Sequence, residues 1–167
     1  MMMKQKAVIG LFFLGLLLMA MLEGALIWVF DEVAELPTFD FGGLNTAVGL
    51  IAVGVGSFLV IWSVWAQAVI GKGTPAPTAA TQKLVITGPY AYIRNPMTLG
   101  AAVFYLGISF WHGSLAVFLL VLIVFAALLT YIYVHETREL AGRFGAEYLA
   151  YKEKTPFLFP FSLKKKD

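Results

Sequence analysis

Apolar runs punctuated by short polar breaks order this chain. Residues 7–30 are almost unbroken hydrocarbon, and 44–70 form a second run rich in glycine. Residues 97–111 and 114–134 follow, separated only by His112-Gly113. At about 1.5 Å per helical residue, the first two runs can cross a hydrocarbon core of about 30 Å. The third is short for a full crossing, so the third and fourth read together as a tight helical hairpin, tilted or partly inserted. Lys4 and Lys6 before the first run also fit a signal peptide. The run continues past signal-peptide length, and no small-x-small site is followed by a polar start, so it reads as a retained helix. In the second run the Gly49–Val53 and Ala52–Gly56 spacings offer a close-packing helical face.

The polar breaks set the orientation. Asp31, Glu32, Glu35 and Asp40 follow the first run without a Lys or Arg. Lys72, Lys83 and Arg94 follow the second, and Arg138, Arg143, Lys152, Lys154 and Lys164 to Lys166 follow the fourth. The positive-inside rule then places both termini and the second loop in the cytoplasm. Two segments far apart in sequence, 88–100 and the stretch after 134, come to one side of the membrane. In the loop between them Gly71, Gly73, Pro75 and Pro77 break regular structure, and Leu84-Val85-Ile86 adds a short apolar patch. The terminal lysines suit solvent or lipid headgroups.

Composition narrows the class. Of 167 residues 60% are hydrophobic and 13% charged, against about a quarter charged in soluble domains, and the mean hydropathy is +0.82. This is the composition of an integral membrane protein. The expected fold is an all-α membrane protein, with about four transmembrane or hairpin helices and a short cytosolic C-terminal helix. A single domain is expected to fill residues 1–167. Cysteine is absent, which removes disulfides and thiolate metal sites. The two histidines, His112 and His135, are far apart, so no catalytic metal is expected. A net charge of +2 does not suggest nucleic acid.

The candidate chemistry is concentrated in two segments. The first is Gly88-Pro89-Tyr90-Ala91-Tyr92-Ile93-Arg94-Asn95-Pro96-Met97-Thr98-Leu99-Gly100, which opens directly into the third run. Polar groups at the mouth of a membrane helix are expensive and therefore usually functional. Asn95-Pro96 is also a helix start, with Asn at the N-cap and Pro at the first position. The second segment begins at His135-Glu136 and includes Tyr148 and Tyr151, three apart on one helical face. Glu139 and Arg143 are spaced for a surface salt bridge. Glu136 has Leu140 at its i+4 position and needs a partner from elsewhere, for which Arg94 is the candidate. Tyr92 suits an interfacial aromatic. Glu23, inside the first run, is expected to bond across helices to Ser57, Ser63 or Gln67, with lining of a substrate cavity as the alternative. His112 reads as an interfacial residue at the outer turn, and His135 as a structural neighbour of Glu136.

The pattern Gly-Pro-Tyr-x-Tyr-x-Arg-Asn-Pro-Met-x-x-Gly is followed by a hydrophobic hairpin. After it comes Glu-x-x-x-Leu-x-x-x-Phe-Gly-x-x-Tyr-x-x-Tyr-x-x-x-x-Pro-x-x-x-Pro. Together these resemble the isoprenylcysteine carboxyl methyltransferase family, and the related phospholipid N-methyltransferases share much of the pattern. The resemblance covers about residues 71–161 and implies a cofactor-binding part at about 84–160. It implies methyl transfer from S-adenosylmethionine to a lipophilic or lipidated acceptor, with membrane lipid as the other partner and no metal. Arg94 and Glu136 take the catalytic positions. Gly88, Tyr90, Asn95, Pro96, Gly100, Glu136, Tyr148 and Tyr151 take the cofactor-binding ones. Three positions depart from the family pattern. Asn95 stands where many carboxyl methyltransferases have His, so that Asn-Pro-Met looks more like the phospholipid branch. Thr98 replaces a frequent Tyr, and Thr137 replaces a second acidic residue.

The chemistry of these residues is compatible with that reading. Displacement at a sulfonium methyl needs alignment more than acid–base catalysis, and a water-poor site favours a carboxylate nucleophile. An arginine can hold an acceptor carboxylate bidentately, and tyrosine faces can flank a sulfonium. The expected function is methyl transfer at the membrane–cytosol boundary, most like isoprenylcysteine carboxyl methylation. A phospholipid or amine N-methyltransferase is the alternative enzyme. A catalytically silent membrane scaffold is the alternative outside enzymology.

Overall fold

A computed structural model describes residues 2–74 and 79–158, with the backbone alone for Met2 and Glu136. The calls on Pro75, Pro77 and the lysine tail lie outside these residues. Helix α1 runs Met2–Ile27 and loosens into a π-helical turn, Trp28–Val33. Helix α2 is Gly43–Val69, a 3₁₀ turn covers Gly88–Ala91, α3 is Pro96–His112, and α4 is Leu115–Lys154. Among the described residues three segments are long and apolar enough to cross a membrane: Met3–Val33, Gly43–Val69 and Leu115–His135. At 17 residues, α3 reaches only about 25 Å, as its short apolar run foretold. The all-α membrane fold is therefore as expected. Many large apolar side chains on these helices are exposed, among them Leu11, Leu17, Ile51, Phe58 and Ile123. That is the surface a lipid phase covers.

The closest packing is between α2 and α3, where glycines let the two backbones touch. A Cβ on Gly56 would lie 2.5 Å from Phe104 N and 2.6 Å from Gly100 O. One on Gly107 would lie 2.9 Å from Val53 N and 3.0 Å from Gly49 O. Gly49 and Gly56 thus meet Gly107 and Gly100 as antiparallel partners, seven residues apart on each helix. The glycine face expected of the second run is used inside the chain. Gly54, by contrast, has nothing within 4 Å.

At one end of the bundle, polar staples close the connections. Phe39 N donates to Gly113 O at 2.8 Å, and Asn45 Nδ2 donates to Phe39 O and Phe110 O. Ser114 Oγ donates to Asp31 Oδ1 at 2.7 Å. Gly113 supplies the left-handed residue (φ 75°) that ends α3. His112 is exposed at this turn.

The expectation for Glu23 is corrected here. Ser63 Oγ donates to Leu59 O of its own helix, and Gln67 Nε2 donates to Tyr90 Oη. The Ser63 hydroxyl is therefore used within its own helix and the Gln67 amide nitrogen on Tyr90, and the buried Glu23 oxygens have no hydrogen-bond partner among the described residues.

The opposite end gathers the chemistry. Gln5 Nε2, on the first turns of α1, donates to Ala68 O at 3.1 Å and Gly73 O at 2.9 Å. This ties the start of α1 to the end of α2. Helix α4 runs on for 40 residues but breaks at Gly145 (φ 54°, ψ −129°). That backbone region is essentially glycine-only. Beyond the break, 146–154 form the short C-terminal helix expected from sequence.

Candidate active site

The site is built on the start of α3. Pro96 occupies the first helical position and Asn95 the N-cap, but the Asn95 side chain makes no capping hydrogen bond. The amide is left for other work. Arg94 just before it is braced by the C-terminal segment. Its backbone N donates to Pro156 O at 2.9 Å, and Asn95 N to Phe157 O at 3.3 Å. Arg94 Nη1 donates to Tyr148 Oη at 3.3 Å, and the guanidinium lies 5.5 Å from the Phe157 ring centroid. Tyr151 Oη donates to Tyr90 O at 2.6 Å. Two segments some fifty residues apart are thereby locked together, as the sequence required of one shared site.

Tyr90 is 7% exposed and packs with Ala66, Val85 and Ile70. The expected apolar patch at Val85 is thus part of the floor beneath the site. Gly88 takes a positive φ of 64°, which starts the 3₁₀ turn beneath Tyr90.

Above this floor lies a cavity of about 470 Å³, within the range of small-molecule sites. Its polar lining includes Gln67, Tyr90, Arg94, Asn95, His135 and Arg143, and its apolar lining includes Phe12, Met97, Leu128 and Ile132. Arg143 pairs with Glu139 at 3.2 Å, as its spacing foretold, and also donates to Thr81 O, which pins the second loop to α4. A small void of about 20 Å³ lies on the other side of Arg94, against Tyr148, Tyr151 and Phe157. Two buried polar atoms on the large cavity have no partner among the described residues: Gln67 Oε1 and Arg94 Nε. Each unsatisfied atom costs about 1–3 kcal/mol, so a ligand that satisfies both is favoured.

The predicted residues therefore fall into groups. Tyr90, Arg94 and Asn95 line the large cavity, whereas Tyr148 and Tyr151 stand behind it against the small void. Gly88, Pro96 and Gly100 do not line either cavity. Pro96 is fully buried, and Gly100 packs against Leu59 and Gly56 O. The backbone of Glu136 lies in α4 beside His135, and its side chain, with the expected Arg94 pairing, is outside the described residues. Sequence reading missed Gln67 as a site residue, although an amide within an apolar span is a signal in itself. It favoured a surface salt bridge for Glu139 and a structural place beside Glu136 for His135, while both border the cavity. His135 stacks on Tyr131 with centroids 4.6 Å apart.

The family model of phospholipid methyltransferases matches residues 44–147, more than half of the chain. The chain belongs to that family. No curated protein and no solved structure matches it. The matched residues of this phospholipid methyltransferase family member begin in α2 and end just past Gly145, so they include the glycine crossing, the Arg94 segment and most of α4. Membership makes it a membrane methyltransferase and agrees with the apolar helices.

Proposed function

We propose that this chain transfers a methyl group from S-adenosylmethionine to the headgroup amine of a phospholipid, at the Arg94 end of the bundle. The observation that carries the reading is a pair of buried atoms without a partner among the described residues, Gln67 Oε1 and Arg94 Nε, on a cavity that apolar side chains also line. The residues present fit the cofactor. The free guanidinium N–H of Arg94 suits a carboxylate, and the free amide oxygen of Gln67 suits a hydroxyl or an ammonium. Asn95 and Glu136 complete the polar set, and the Tyr90 ring suits a neighbouring cation. Gly88, Pro96 and Gly100 act through the backbone, while Tyr148 and Tyr151 brace Arg94 and Tyr90. When bound, S-adenosylmethionine supplies an electrophilic methyl group on a sulfonium centre.

The acceptor nitrogen attacks only when neutral. His135 on the cavity wall takes its proton, with Glu139 next along the same helix. The wall of Phe12, Met97, Leu128 and Ile132 admits the acyl part of the acceptor from the bilayer side. The basic loops put this end, and both termini, on the cytoplasmic side. A carboxylate acceptor, as in isoprenylcysteine methylation, is the second reading. It is favoured by the two guanidinium groups, Arg94 and Arg143, on one cavity.

The test is incubation of the full chain with methyl-labelled donor and a native lipid extract. Lipid-soluble label that stays non-volatile after base treatment, bound to the headgroup nitrogen, is expected. Label released by base as volatile methanol points to a methyl ester and the second reading. Absence of lipid-soluble label from the wild type contradicts both. Arg94→Ala and Glu136→Ala are expected to abolish labelling while leaving folded protein, and wild-type labelling by either removes that residue from the site.

A further inference from the structure

A second cavity, of about 490 Å³, lies between the first turns of α1 and the second loop. Lys4, Gln5 and Val8 line it from the helix, and Lys72, Gly73 and Ala80 from the loop. It adjoins the methyl-transfer cavity, since Ala80 borders both. Its walls are fixed by the Gln5 bonds to Ala68 O and Gly73 O. Among the described residues neither Lys4 nor Lys72 is paired with a carboxylate.

The backbone at Lys72 is unusual. Gly71 N donates to Ala66 O and Gly73 N to Gln67 O, which closes the end of α2 with Lys72 in the left-handed position (φ 52°). Glycine is the unstrained residue there, and a glycine stands on each side. The chain carries a lysine at the strained point and turns it into the cavity lining. Two unpaired ammonium groups next to apolar Ala7 and Val8, at the end of a membrane helix, match a phosphate on an acyl-bearing molecule.

We propose that this cavity binds the headgroup of an anionic phospholipid through Lys4 and Lys72, as a site separate from methyl transfer. The site stands whether or not the adjoining cavity binds S-adenosylmethionine. The test is native mass spectrometry of the delipidated full chain in neutral detergent, titrated with dioctanoyl phosphatidylglycerol. One saturable adduct is expected, weakened at least tenfold in Lys4→Gln/Lys72→Gln. Lys6→Gln/Lys83→Gln removes the same charge outside the cavity and is expected to change binding less than twofold. Lys72→Gly is expected to keep or raise the melting temperature while weakening the adduct, which separates binding from folding. Equal loss in the two double variants means diffuse attraction and overturns the proposal. So does dioctanoyl phosphatidylcholine binding as tightly. Lysine-dependent competition by equimolar inorganic phosphate assigns the cavity to a soluble phosphate and overturns the lipid.

Discussion

Gln67 and Arg94 hold the unsatisfied donor and acceptor around which the site is argued, and their substitution separates binding from folding. Gln67→Leu removes a buried acceptor without a partner together with one hydrogen bond to Tyr90. The two effects on stability oppose each other. Its melting temperature is expected within about 4 °C of wild type, the shift for about 1 kcal/mol in a chain of this size. Methyl transfer is expected to fall at least tenfold, and unchanged kcat/KM removes Gln67 from the site. Arg94→Lys keeps the charge but loses the planar fork that reaches Tyr148 while leaving Nε on the cavity. A drop of about a hundredfold in kcat/KM is expected, of the order seen when one positioned donor is lost. Activity within threefold of wild type means that charge alone suffices. Arg94 and Tyr90 were readable from sequence because turn formers and polar groups clustered at the mouth of a span. Gln67 was not, because one amide in a long apolar helix has no local pattern to give it a direction.

The helices explain why the cavity keeps its shape. The crossing of α2 and α3 depends on backbone contact, since a Cβ on Gly56 would lie 2.5 Å from Phe104 N. Gly56→Val forces the helices apart and is expected to cost more than the usual 1–3 kcal/mol of overpacking. Low monodisperse yield and an early melt in detergent would show it. Gly54→Ala, two residues earlier and facing open space, is expected to melt like wild type, and equal damage from both contradicts the crossing. Gly145 has the other irreplaceable backbone. Gly145→Ala meets no neighbour within 4 Å but must adopt φ 54°, ψ −129°, at about 1–3 kcal/mol. Because Tyr148 and Tyr151 follow the break, activity is expected to fall more than tenfold. Full activity with an unchanged melt rules out a strained turn there.

The helix count, the short third helix and the shared end of the two polar segments were legible in run lengths, loop charges and motif order. The partnering was not. Apolar runs state that helices exist, whereas which glycine meets which backbone is decided in three dimensions. Reading a close-packing face on the second run located the surface without identifying α3 as its occupant. The break at Gly145 was hidden inside a motif whose residues suggested only a helix.

In the whole molecule, lipid-covered helices carry one polar end. There α1 at Phe12, the end of α2, the start of α3 and the middle of α4 enclose a cavity lined by both polar and apolar side chains. Under the proposed function, such a mixed lining suits a lipid acceptor together with a water-soluble methyl donor. The most direct measurement is calorimetric titration of the full chain in detergent with S-adenosylhomocysteine, for the wild type and for Arg94→Ala. The account expects submillimolar binding by the wild type and at least tenfold weaker binding by a variant that melts alike. No heat of binding from the wild type, or equal affinity in both proteins, would contradict it.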